Sequence, residues 1–131
     1  MENRWDLEMP DQPKSTIIVV DDEAVIASSL AAILNASGFQ ATAFTDAEEA
    51  LHAAESSCPN VLISDVLMPQ MNGIQLAVRF KSICPNCKVV LFSGNAFTNG
   101  LMRFAAKQGH EFKILDKPVH PRDILAAIAE P

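Results

Sequence analysis

The chain reads as an α/β domain, a five-stranded parallel sheet doubly wound by helices as (βα)5. Three observations predict it. Short apolar runs alternate with stretches whose apolar residues recur at helical spacing, the pattern of a parallel sheet with helices on both faces. The runs are brief and β-branched, as strands buried on both faces should be. Their carboxyl ends carry polar residues: Asp21 and Asp22 after Thr16–Val20, Asp65 after 61–64, Ser93 after 88–92, and Asp116, Lys117 and Pro118 after 112–115.

Residues 1–15 hold Pro10, Pro13, Trp5 and several acids without a period, and read as an arm or linker ahead of a domain over 16–130. Thr16–Val20 is the first strand. Ala24–Ala36 follows with Ile26, Leu30, Ile33 and Leu34 at helical spacing, and Gly38 stops it. Residues 39–45 form a weaker strand. Asp46 is the expected N-cap of a helix over Ala47–Ser56, with Glu49 as its capping-box partner. Residues 61–66 are a buried strand, 68–72 a loop, and Gly73–Ile83 a helix built on Ile74, Ala77, Val78 and Phe80. A fourth strand spans 88–92. A loop rich in Gly and Asn follows over 93–100, then a helix over 101–107 that Gly109 ends. A fifth strand spans 112–115. Pro121 suits the first turn of the last helix, where its missing N–H costs nothing, and Ile124, Leu125 and Ile128 give that helix its stripe.

Composition narrows the function. A chain of 131 residues, 49% hydrophobic and 20% charged, is of ordinary globular size for one domain. A net charge of −6 with scattered Lys and Arg argues against direct nucleic-acid binding. No apolar stretch reaches the roughly 18 residues of a membrane span, so membrane insertion is not expected. The first residues lack a signal pattern, which makes the cytoplasm the expected location. Three cysteines, an odd number, exclude a full disulfide framework. Cys84 and Cys87 have CxxC spacing, which a redox pair or half a zinc site would use. Here the motif precedes a strand instead of opening a helix. All three thiols are expected at the amino edge of the sheet as structural or incidental residues, since an isolated Cys usually behaves as a small hydrophobe.

In open α/β sheets ligands bind beyond the carboxyl ends of the strands. Asp21, Asp22 and Asp65 would meet there. Clustered carboxylates repel, and a hard dication such as Mg²⁺, or Mn²⁺ in its place, removes the conflict. Lys117 can pair with a carboxylate or with a phosphoryl group, and Ser93 can donate to a phosphoryl oxygen. Pro118 stands in a tight turn of the kind that accommodates a cis peptide.

These stretches resemble the receiver domain of two-component response regulators. The resemblance rests on Ile17-Ile18-Val19-Val20-Asp21-Asp22-Glu23, on Leu62-Ile63-Ser64-Asp65-Val66-Leu67-Met68-Pro69-Gln70-Met71-Asn72-Gly73, on Leu91-Phe92-Ser93-Gly94 and on Leu115-Asp116-Lys117-Pro118. It implies a flavodoxin-like strand order 2-1-3-4-5. It implies Asp65 as phosphoacceptor, and Asp21, Asp22, Asp65 and the Leu67 main-chain carbonyl as Mg²⁺ ligands. Ser93 would be the switch hydroxyl and Lys117 the phosphoryl partner. The implied partners are a histidine kinase or phosphotransfer protein and a downstream protein target, with room for a phosphorylation-dependent dimer. The implied module signals and is not an enzyme, beyond assisting its own phosphorylation and dephosphorylation.

Three departures stand out. The aromatic position three residues before Lys117 is Ile114, and the chain has no Tyr. The residue two after Asp65 is Leu67, which cannot orient a water, so slow self-dephosphorylation is expected. The chain also stops soon after its last helix, which suits a stand-alone regulator, a relay protein or a domain cut from a longer chain. Two other functions draw on similar residues. Aspartate-nucleophile phosphatases place two aspartates one residue apart after the first strand, whereas here the pair is adjacent. A receiver-like interaction module that does not use phosphate would not need the full acceptor set.

Overall fold

The computed structural model describes residues 15–94, 103, 106, 107, 109 and 112–130. The expected arm lies outside these residues except for Ser15, as do most of loop 93–100 and most of helix 101–107. Positions 103, 106 and 107 have helical backbone.

Five strands form one parallel sheet: β1 Thr16–Val20, β2 Gln40–Phe44, β3 Val61–Asp65, β4 Lys88–Ser93 and β5 Lys113–Asp116. Their order is β2-β1-β3-β4-β5, the expected order 2-1-3-4-5. Four helices are complete among the described residues: α1 Ala24–Ala36, α2 Ala47–Ser56, α3 Gly73–Ile83 and α4 Pro121–Ala129.

Side-chain alternation along the strands builds two cores. Ile18, Val20, Leu62 and Leu91 pack under α2 and α3. Ile17, Val19, Ile63 and Phe92 pack under α1 and α4. Period-two strands with both faces covered produce this division directly.

The buried face of α1 differs from the expected stripe. Ala27, Leu30, Ala31 and Leu34 are buried. Ile26 and Ile33 are 42% and 37% exposed, and Val25 is 76% exposed. The small alanines let the helix lie close to the sheet, which turns the larger isoleucines outward. On α2, Asp46 does cap, but through the Glu48 N–H at 3.2 Å and not through a box with Glu49. The reciprocal boxes stand elsewhere. Asn72 and Gln75 bond each other's backbone N–H at 2.8 and 2.9 Å at the start of α3. His120 Nδ1 accepts from the Arg122 N–H, and Asp123 accepts from the His120 N–H, at the start of α4.

The outer edge of β2 is closed by a side chain. Asn35 accepts from the Ala41 N–H at 2.8 Å and donates to the Ala41 carbonyl at 3.1 Å. At the far side, Lys88 Nζ donates to the carbonyls of Ile128 and Glu130, tying the end of α4 to β4.

The cysteines divide between the two expected roles. Cys58 and Cys84 form a disulfide with Cα atoms 5.7 Å apart, a structural role, and the CxxC residues are not the pair. Cys87 is a buried free thiol. All three precede their strands at the amino edge, as expected.

Gly73 positions α3 against the end of β3. Its N–H donates to the Val66 carbonyl at 2.7 Å. A Cβ there would collide with the Asp65 carbonyl oxygen and come 2.9 Å from Val66 Cα. Gly73→Ala should therefore push α3 away from Asp65 and cost about 1–3 kcal/mol, read as a lower midpoint in urea at unchanged slope.

Candidate functional site

Parallel pairing puts the carboxyl ends of β1, β3, β4 and β5 at one edge. Val20 is in register with Ser64, and Asp65 with Phe92, so the residues following β1 arrive beside the end of β3. One carboxylate oxygen from each of Asp21, Asp22 and Asp65 lies within 4.8 Å of the others. Asp21 and Asp65 are buried, and Asp22 is exposed. Residues more than forty positions apart in the chain converge here, as the sequence predicted.

Lys117 follows β5 and places Nζ 3.1 Å from Asp65 Oδ2. Its backbone N–H donates to the Ser93 carbonyl at 3.0 Å, which holds the two strand ends together. The Lys117–Pro118 peptide is cis. Ser93 ends β4, is buried, and pairs in register with Asp116. Leu67 lies two residues beyond Asp65 in the loop to α3 and is 47% exposed.

Charge dominates this edge. Burial pushes the Asp21 carboxyl above the usual carboxylate range. The Glu23 N–H, donating at 2.9 Å, pulls it back down; Asp65 pushes it up, Lys117 pulls it down and Asp22 adds a further push upward. Three carboxylates face one ammonium, so an all-oxygen site with surplus negative charge remains. That donor set fits a hard dication of the Mg²⁺ kind, which takes oxygen ligands and keeps some of its water.

A groove of about 660 Å³ adjoins the site between α1 and α4, with Asp21 and Lys117 at its polar end. Val25, Ile26 and Ile33 of α1, Val119 ahead of α4 and Pro121 at its first turn are among the residues that line the remainder. The sequence did not single out this groove. The available signal was the apolar surplus of α1, which carries more large apolar residues than one buried stripe can use.

Over residues 17–129 the chain matches the family described as the response regulator receiver domain. The chain belongs to this family. Among its relatives, the response regulator receiver protein CpdR of Brucella abortus is 28% identical over 86% of this chain and 92% of its own length. The DNA-binding transcriptional regulator NtrC of Escherichia coli is 32% identical over 88% of this chain, which spans 24% of that longer protein. A receiver domain protein from Methanospirillum hungatei, described as CheY-like, superimposes with a TM-score of 0.79 at 29% identity, covering 88% of this chain and 90% of that one. A receiver domain protein from Clostridium thermocellum gives 0.78 at 28% identity over 87% and 90%. This receiver domain is thus a module of phosphorylation-based signalling. No helix among its described residues is long and apolar enough to cross a membrane.

The raised pKa of Asp21 makes it an unfavourable anion in the metal-free fold. The folded state binds the proton more tightly than the unfolded chain does. The destabilisation is therefore absent below the ordinary Asp pKa of 3.8, grows as pH rises from there to the folded value, and is complete above it. With a chelator present, Asp21→Asn should raise Tm by a few degrees at pH 7, and the gain should vanish by about pH 3. Thermal melts across that pH range check it.

Proposed function

We propose that this receiver accepts a phosphoryl group on Asp65 from the phosphohistidine of a histidine kinase or phosphotransfer protein, and that the modified domain changes its binding to a downstream protein. The observation that supports this most is the cluster of Asp65 with Asp21 and Asp22 within 4.8 Å, with Lys117 at 3.1 Å from Asp65. An Asp65 oxygen attacks phosphorus, the P–N bond to the histidine breaks, and an aspartyl phosphate forms. Such transfers rely on positioning and charge neutralisation more than on covalent help from the protein.

Asp21, Asp22, the Asp65 carboxylate and the Leu67 carbonyl would hold Mg²⁺, which when bound supplies positive charge to the phosphoryl oxygens. Lys117 moves its ammonium from the carboxylate to the new phosphoryl oxygens. Ser93 donates its hydroxyl to one of them. Ile114 is in register with Leu91 and packs against the core under α2 and α3. It offers no ring to rotate, so the change at Ser93 passes through the segment that follows β4. Leu67 presents only apolar surface beside the acceptor and orients no water, so the aspartyl phosphate decays slowly. The domain acts in the cytoplasm as a signalling module, and a phosphorylation-dependent dimer is one form its output can take.

Incubation with Mg²⁺ and acetyl phosphate should give one acid-stable, base-labile adduct per chain. The adduct should persist far longer than that of fast chemotaxis-type regulators and be lost in Asp65→Asn. Repeated turnover of an organic phosphate would instead favour a phosphatase, and no adduct a phosphate-independent interaction module.

The groove beside α1 suits the incoming kinase or phosphotransfer domain, because exposed Val25 and Ile26 adjoin the acidic edge. Ile26→Asp should slow transfer from a phosphohistidine donor by about tenfold, the effect of losing about 1.4 kcal/mol of contact, while leaving acetyl phosphate labelling intact. Parallel labelling time courses with the two donors separate these effects.

A further inference from the structure

The edge of the sheet opposite the acidic cluster carries sulfur chemistry that the phosphoryl site does not use. Cys58, in the connection from α2 to β3, is exposed, and Cys84, the C-cap of α3, is buried. Their bond spans 26 positions and fastens the far end of α3 to the rest of the domain. Residue Cys87 lies three positions beyond Cys84, in a turn closed by its own N–H on the Cys84 carbonyl at 3.0 Å.

Two observations bear on the opening of this bond. The first is access. Exchange begins when a thiolate reaches a disulfide sulfur, and Cys58 stands at the surface where a small thiol can meet it. The second is that the opened form already has its hydrogen-bond acceptors. Cys58 Sγ lies 3.8 Å from the Ile83 carbonyl oxygen, and Cys84 Sγ lies 3.9 Å from that of Ala54. Both carbonyls belong to the last turns of helices, where no intrahelical N–H is left to bond them. Each new S–H would find one of these acceptors, so even the buried Cys84 would not be left unsatisfied.

We propose that Cys58–Cys84 is a reversible dithiol–disulfide site, entered at Cys58 by a low-molecular-weight thiol, whose state sets how firmly α3 is anchored. The incoming thiolate attacks Cys58 Sγ and the S–S bond breaks. Cys84 leaves with the electron pair and takes a proton. A second small thiolate then attacks the sulfur of the first, the bond to Cys58 breaks, and Cys58 leaves with the electron pair and takes a proton, so two small thiols become one small disulfide and both cysteines gain hydrogen. Closure is the reverse, with the small disulfide as oxidant. Burial pushes the Cys87 thiol up to about 11, with Lys81 opposing, so at neutral pH it stays protonated and does not compete for Cys84. Because α3 starts at Gly73 against the end of β3, its anchorage links the two edges of the sheet.

The test is equilibration of the full chain in glutathione buffers from oxidising to reducing, followed by acid quench, denaturation, alkylation and peptide mass mapping. At the oxidising end only Cys87 should be alkylated, and at the reducing end all three, with Cys58 and Cys84 rising together along one two-electron curve. Reduction should lower Tm by roughly 5–15 °C. In Cys58→Ser, reduction should leave Tm unchanged. Three alkylated cysteines at every poise, a mapped Cys84–Cys87 bond, a wild-type Tm indifferent to reduction, or the same fall in Cys58→Ser would each overturn the proposal.

Discussion

Like charges forced together at one strand edge are the constraint on which this molecule depends. Asp21, Asp22 and Asp65 share a space in which their oxygens lie within 4.8 Å, and Lys117 opposes them through its ion pair with Asp65. Burial sharpens the conflict, since Asp21 has little water to spread its charge into. The sheet maintains the arrangement because each acid is anchored by its own strand, and the strands are held in register by apolar packing on both faces. Stability is given up at this edge and recovered in the two cores beneath it. A site held in tension responds strongly when a cation or a phosphoryl group changes the charge balance.

Much of this was legible in the chain. The alternation of short apolar runs and helical periods located every strand and the four described helices to within a residue or two. The polar residues closing those runs marked the site, because a parallel sheet brings successive carboxyl ends to one edge. Less legible were features decided by tertiary packing. Ile26 and Ile33 fit a helical stripe as well as Leu30 and Leu34 do, and only the close approach allowed by Ala27 and Ala31 shows which pair faces inward. Asp46 looked like half of a box with Glu49, but its carboxylate reaches the Glu48 N–H instead. The disulfide was not legible in the cysteine spacing. Cys84 and Cys87 are near in sequence, but the partner that meets Cys84 comes from another loop, and no local pattern records that.

Helix α3 is central to the arrangement. One end begins where Gly73 touches the backbone of Asp65 and Val66. The other ends at Cys84. Ile74, Leu76, Ala77 and Phe80 between them are buried in one core. A helix packed along its length behaves as a stiff rod, so a restraint at its far end bears on its near end. The sulfur site and the acidic site thus stand at the two ends of one helix although they occupy opposite edges of the sheet.

The Asn35 amide on the outer edge of β2 has a consequence for how copies of this chain meet. Parallel sheets end in strands whose free N–H and C=O groups can template another strand. Here one residue of that rim, Ala41, is already matched, donor and acceptor both, by a side chain from the neighbouring helix. An approaching peptide would have to displace the amide before it could extend the sheet. The domain can therefore gather at high local density with its fellows while this flank resists fibril-like growth.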